Sequence, residues 1–136
     1  MTNETDPFAI GNNFSYQFEI TNEIVESFKL LSKDINPVHV DKAYSQRKGF
    51  KDVIVYGNVL GLGVSYLIGM ALPMKEVIIL KQAFDFQNPM YLNDSIHILG
   101  TVKSTSDSVK TVELGLAMTN QHGKKVAKGI LLFKRI

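Results

Sequence analysis

Twenty consecutive residues, Val53 to Leu72, carry no formal charge, and Pro73 closes the run. A run of that length has two homes, a bilayer or a protein core. Gly57, Gly61, Gly63 and Gly69, with Asn58, Ser65, Tyr56 and Tyr66, dilute its apolarity, and the rest of the chain is patterned as amphipathic sheet. The expectation is therefore a core helix from about Tyr56 to Leu72, hydrophobic all round, and no membrane span. Four glycines cost a helix stability. They make sense where another backbone or a ligand approaches closely.

The other segments read as a wrapper for this helix. Asn13 to Ile20 alternates, with Phe14, Tyr16, Phe18 and Ile20 on one side, as a strand with one buried face does. Thr21 is the expected N-cap of a helix whose apolar stripe is Ile24, Val25, Phe28, Leu31 and Leu30. That helix ends near Ser32, because Pro37 disfavours helical geometry at Asn36. Residues 33–52 form a long polar connection anchored by Tyr44 and Phe50, and a connection of that length in a small domain is usually functional or disordered.

Four strands follow. Val77–Phe86 carries Ile78, Leu80, Phe84 and Phe86 on one face; Ser95–Ser104 carries Ile96, Ile98, Gly100 and Val102. Val109–Thr119 carries Val112, Leu114, Leu116 and Met118, and Lys124–Lys134 closes the chain after a turn at Asn120–Gly123. The order predicts one α+β domain over residues 12–136, behind a flexible lead-in at 1–11: a long central helix wrapped by a five-stranded antiparallel sheet. An open sheet leaves edges, and edge-to-edge pairing into a homodimer is the expected cover.

Composition removes several functions. With no cysteine in 136 residues, disulfides, thiolate zinc sites and cysteine nucleophiles are excluded. A net charge of +2 with scattered lysines gives no basic run for nucleic acid. The polar, acidic start (Thr2, Asn3, Glu4, Thr5, Asp6) lacks the pattern of a signal peptide, so a cytoplasmic location is expected.

The chemistry concentrates in Asp34-Ile35-Asn36-Pro37-Val38-His39-Val40-Asp41. Pro37 fixes its own φ and biases Asn36 to an extended form. A turn there lets Asp34 and His39 face one cavity, and a carboxylate and an imidazole sharing a site suit proton transfer. A metal bound by Asp34, His39 and Asp41 is the rival reading, but no further ligand stands at motif spacing, so neither a metal nor a cofactor is expected. Asp41 is expected to cap a helical turn starting at Lys42. Ser65 lies within the helix pattern, off any nucleophile elbow. His97 and His122 are expected at the surface, and Asp85 on the sheet face opposite Phe84 and Phe86. Lys33, Arg47, Lys48 and Lys51 form a solvated face, or contacts for a phosphate-bearing substrate.

Ser32-Lys33-Asp34-Ile35-Asn36-Pro37-Val38-His39-Val40-Asp41 resembles the hydratase motif of MaoC-like proteins and (R)-specific enoyl-CoA hydratases, usually Ser-Gly-Asp-x-Asn-Pro-x-His-x-Asp. The resemblance continues through Phe50, Ile54-Val55, Gly57 and the apolar helix to Ser65. It resumes at Phe84-x-Phe86-x-Asn88-Pro89 and Asp94, and covers about residues 14 to 133. It implies a hot-dog fold paired into dimers and a water added across a trans-2-enoyl thioester carried on CoA or an acyl carrier. Asp34 and His39 match the catalytic pair. Asn36 matches a residue that shapes the motif, and Gly57 the glycine whose N–H holds the thioester carbonyl. Ser65 matches a pocket-lining serine, with an i−4 backbone hydrogen bond as the alternative. Tyr56 stands where the family usually has histidine, Asn58 where methionine is common, and Lys33 and Asn93 where glycine is usual. Tyr56 and Asn58 flank the carbonyl site and bear on substrate identity. Two rival readings accompany the hydratase: a non-catalytic module binding an acyl thioester or a partner protein, and a thioesterase.

Overall fold

The computed structural model describes residues 6–136. Five antiparallel strands, β1 (Asn13–Glu19), β2 (Val77–Phe86), β3 (Ser95–Ser106), β4 (Thr111–Thr119) and β5 (Lys125–Arg135), form one sheet in the order β1-β3-β4-β5-β2. Alternation sets which face is buried. Ile96, Ile98 and Val102 of β3 and Val112, Leu114, Leu116 and Met118 of β4 all point into one core. Opposite them stand Val59, Leu60, Val64, Leu67 and Ile68 of the central helix.

The central helix runs through three geometries: a 3₁₀ turn at Gly57–Val59, the α-helical stretch Leu60–Tyr66 and a π turn at Leu67–Ala71. Gly63 explains how it enters the sheet. A Cβ there would lie 2.5 Å from Phe18 Cε1 and 2.6 Å from Ile98 Cδ1, so only glycine admits both side chains. The helix is not buried all round, as the sequence predicts. Leu62, Tyr66 and Met70 form an exposed stripe, because a sheet covers only one side of a helix laid on it. No helix among the described residues is long and apolar enough to cross a membrane.

Other expectations are corrected as well. In α1 (Asn22–Ser32) Ile24, Val25 and Phe28 pack on the core, whereas Leu30 and Leu31 are exposed, Leu31 at 82%. The polar connection holds two short helices, α2 (Pro37–Val40) and α3 (Lys42–Arg47). On β2 a bulge between Ile79 and Lys81 shifts the register, so Ile79, not Ile78, stands opposite buried Phe133 in the row continued by Gln82, Phe84 and Phe86. The predicted lead-in also takes part in the core: Phe8 is buried against Phe14 and Phe133, while residues 1–5 lie outside the described residues.

Gly129 marks the tightest sheet contact. A Cβ there would run into the carbonyl oxygen of Ala83 on β2 and meet Phe84 Cδ1 at 2.9 Å. Backbone cannot swing away as a side-chain tip can. Gly129→Ala is expected to cost about 1–3 kcal/mol, read as a lower midpoint in urea or thermal unfolding. An unchanged midpoint would contradict the β2–β5 register.

Candidate active site

A chain of short polar side chains folds the Asp34–Asp41 stretch. α1 stops because Lys33 turns left-handed, at φ 60°, and its N–H bonds the Lys29 carbonyl at 2.9 Å. The Asn36 N–H then donates to Asp34 Oδ1 at 3.0 Å, Val38 N–H to Asn36 Oδ1 at 3.1 Å, and Tyr44 N–H to Asp41 Oδ1 at 3.1 Å. Each carboxylate or amide thus starts the next turn. Asn36 caps α2, with Pro37 in its first turn, and Asp41 caps α3 as the sequence predicts. Asn36 is therefore scaffold, its amide oxygen spent on the backbone.

This folding brings Asp34 and His39 together. His39 Nδ1 lies 2.7 Å from the Ile54 carbonyl oxygen. A carbonyl only accepts, so Nδ1 carries the proton, and in the neutral ring Nε2 presents a lone pair. Nε2 is 3.9 Å from Asp34 Oδ2. That is too long for a direct hydrogen bond and short enough for one water to touch both.

Tyr56 holds the pair from behind. Its hydroxyl donates to the Asp34 backbone carbonyl at 2.6 Å, and its ring packs between Phe28 and His39, with centroids 4.8 and 4.2 Å away. It is 3% exposed and lies outside the cavity lining. Burial, then the nearby Asp34 charge, pushes its phenol above the usual range, so it stays a neutral donor at physiological pH.

A cavity of about 280 Å³ opens beside His39; Asp34, which the sequence expectation set facing the same cavity, is exposed and is not among its lining residues. His39, Phe50, Ile54, Gly57, Phe86 and Met90 contribute to its lining. Gly57, which lines this space, begins the central helix with no side-chain cap, and the first N–H groups of a helix lack intrahelical partners and carry the positive end of its dipole. Asn58 faces a different space, an adjoining cleft of about 360 Å³ that it lines with Gly61, Gln82, Phe84 and Phe86. Ser65 is exposed further along the helix and lines neither. Arg47 and Lys48 lie over the Tyr44 ring, and Lys51 over Tyr91 at 4.3 Å. A hollow of about 550 Å³ on the opposite sheet face, around Ala83, Gly115 and Ala117, has neither an imidazole nor a helix N-terminus and holds no comparable chemistry. Two contributors fall within the stretches of the resemblance without any role being assigned to them there. Ile54 acts through its carbonyl, which no residue type advertises. Phe86 reads as an ordinary strand residue, yet its ring would sit 3.0 Å from a Cβ at Gly57.

A model of the MaoC like domain family matches residues 8–122. An (R)-specific enoyl-CoA hydratase of Aeromonas caviae is 38% identical over 72 residues, which are 53% of this chain and 54% of that protein. The match thus spans about half that relative's length. A protein of the same name from Rhodospirillum rubrum is 29% identical over 119 residues, 88% of this chain and 82% of its own. The solved (R)-hydratase of A. caviae superimposes with a TM-score of 0.86 at 25% identity, covering 99% of this chain and 100% of that one. An unliganded R-hydratase from Pseudomonas aeruginosa gives 0.84 at 29%, covering 93% and 81%. The architecture is the hot-dog fold that the sequence resemblance implies.

The Tyr56 environment yields a signed prediction. A phenol raised in the fold stabilises the native state below its unfolded pKa, and that stability is lost as pH climbs through the folded value. Denaturant midpoints should fall from about pH 10 upward, and Tyr56→Phe should flatten that fall. At neutral pH the same substitution should cost about 0.5–1.5 kcal/mol for the lost hydroxyl bond. An alkaline limb unchanged in Tyr56→Phe would refute the assignment.

Proposed function

The chain belongs to the MaoC-like domain family, and on that premise we propose that it hydrates trans-2-enoyl thioesters, carried on CoA or an acyl carrier, and dehydrates the 3-hydroxyacyl products. The observation that carries this reading is the lone pair of His39 Nε2 facing Asp34 Oδ2 next to the cavity where Gly57 opens the central helix.

A water touching both groups is oriented by the Asp34 carboxylate. His39 Nε2 takes its proton as the oxygen attacks the β-carbon and the C=C π bond breaks. The charge passes to the thioester oxygen as an enolate. The Gly57 N–H, at the helix N-terminus, stabilises that oxygen where the charge develops. The imidazolium, steadied by Asp34, then returns the proton to the α-carbon. No cofactor enters the balance. The Ile54 carbonyl keeps Nδ1 protonated, so Nε2 is the nitrogen that does the work.

A second copy of the chain completes the assembly. β2 is an edge strand, with Ile78, Ile79 and Leu80 exposed along it, and unpaired backbone beside exposed apolar side chains is a template for strand pairing. Antiparallel β2–β2 pairing gives a homodimer with a continuous sheet.

Crotonyl-CoA hydration should be measurable by the loss of enoyl absorbance without release of free thiol. Asp34→Asn and His39→Ala should each lower it by about 10²–10⁴-fold. Wild-type protein that turns over no short or medium enoyl-CoA would refute the reading, and release of free CoA would move the chain to the thioesterases. Light scattering after size exclusion should give twice the monomer mass, and Leu80→Lys should shift it toward the monomer. A monomeric wild type would rule out the edge pairing.

A further inference from the structure

Phe86 stands between two spaces. It is among the residues lining both the 280 Å³ cavity that holds His39 and Gly57 and the 360 Å³ cleft lined by Asn58, Gly61, Gln82 and Phe84. Its ring lies against Gly57, where a Cβ would meet Cε1 at 3.0 Å. Its aromatic neighbour Phe84 meets it edge-on, at 6.3 Å and 89°. Across the cleft, Gly61 offers open space, with nothing within 4 Å of where its Cβ would be.

We propose that Phe86 sets the acyl-chain length this site accepts. The inference rests on the hydratase reading and goes beyond it. With the thioester carbonyl at the Gly57 N–H and the β-carbon near His39, an acyl chain that lengthens past Gly57 runs against the Phe86 ring. Short chains end before it. Longer chains need the volume the ring occupies, and then the open space beside Gly61 in the adjoining cleft. Asn58 and Gln82 place two amides in that further cleft, so an alkyl chain gains most from the space of the ring itself. The ring is therefore a wall between an apolar catalytic cavity and a more polar cleft.

The test compares kcat/KM for trans-2-octenoyl-CoA and crotonyl-CoA in wild type, Phe86→Ala and Phe86→Leu. Because a ratio is taken on one preparation, it does not depend on the folded fraction. The octenoyl-to-crotonyl ratio should rise at least about tenfold in Phe86→Ala, given the value of even one methylene in an apolar pocket, and less in Phe86→Leu. A ratio unchanged in both variants, with wild type active on crotonyl-CoA, overturns the proposal and leaves the hydratase reading standing. If wild type turns over neither substrate, that reading fails, and the wall is judged by binding alone. Octanoyl-CoA should then raise the melting temperature more than butyryl-CoA does in Phe86→Ala, by a margin larger than in wild type. An equal margin overturns it.

Discussion

The burial of a glycine-bearing helix against a curved sheet is the constraint on which the rest depends. The sheet offers one apolar face, and the uncharged run offers one apolar side to fill it. Close contact requires the helix backbone itself to meet strand side chains, which is why Gly63 accepts Phe18 and Ile98. The cost of glycine in a helix is offset by burial of residues such as Leu60, Val64 and Leu67, at roughly 25 cal/mol per Å² of apolar surface. The remaining side of the helix is left open, with Leu62, Tyr66 and Met70 on it.

The site is a by-product of that arrangement. A helix laid across a sheet must begin somewhere, and this one begins at Gly57 without a side-chain cap. The segment before it, Ile54 to Tyr56, supplies a carbonyl to His39 and a hydroxyl to the Asp34 carbonyl. Asp34, His39 and the helix N-terminus are thus tied together by three consecutive residues and their neighbours. Position is set by backbone hydrogen bonds and ring packing, not by charge pairing, which at 3.9 Å and half exposed would contribute little.

What was legible in the sequence followed from strong local rules. Alternation located β1, β3 and β4, and Asp41 had the side chain to cap the turn into α3. The motif resemblance singled out Asp34 and His39, which the fold brings within 3.9 Å of each other. The misreadings arose where tertiary geometry overrode a local pattern. Leu30 and Leu31 fit the helical stripe of α1, but α1 packs through Phe28 on Tyr56, just before the central helix, and leaves these two exposed. The β2 bulge changes the alternation phase after Ile79, and a single extra residue leaves no mark in composition. Asn58 and Ser65 share the open side of the helix with Leu62, so neither lines the cavity that Gly57 opens onto. The Ile54 carbonyl and the Phe86 ring act through placement, for which side-chain type is no guide.

The departures from the motif have physical readings of their own. Lys33 and Asn93 replace usual glycines, and both adopt positive φ, 60° and 70°. The backbone demand is thus retained, and non-glycine residues meet it, asparagine with less strain than lysine. Tyr56 is the more consequential change. A histidine there would set a second imidazole against the His39 ring, which Tyr56 meets at 4.2 Å between centroids. The phenol instead holds its proton well past physiological pH and gives its hydrogen bond to backbone. Tyr56 thus fixes where Asp34 and His39 stand, through its hydroxyl on the Asp34 carbonyl and its ring on the imidazole.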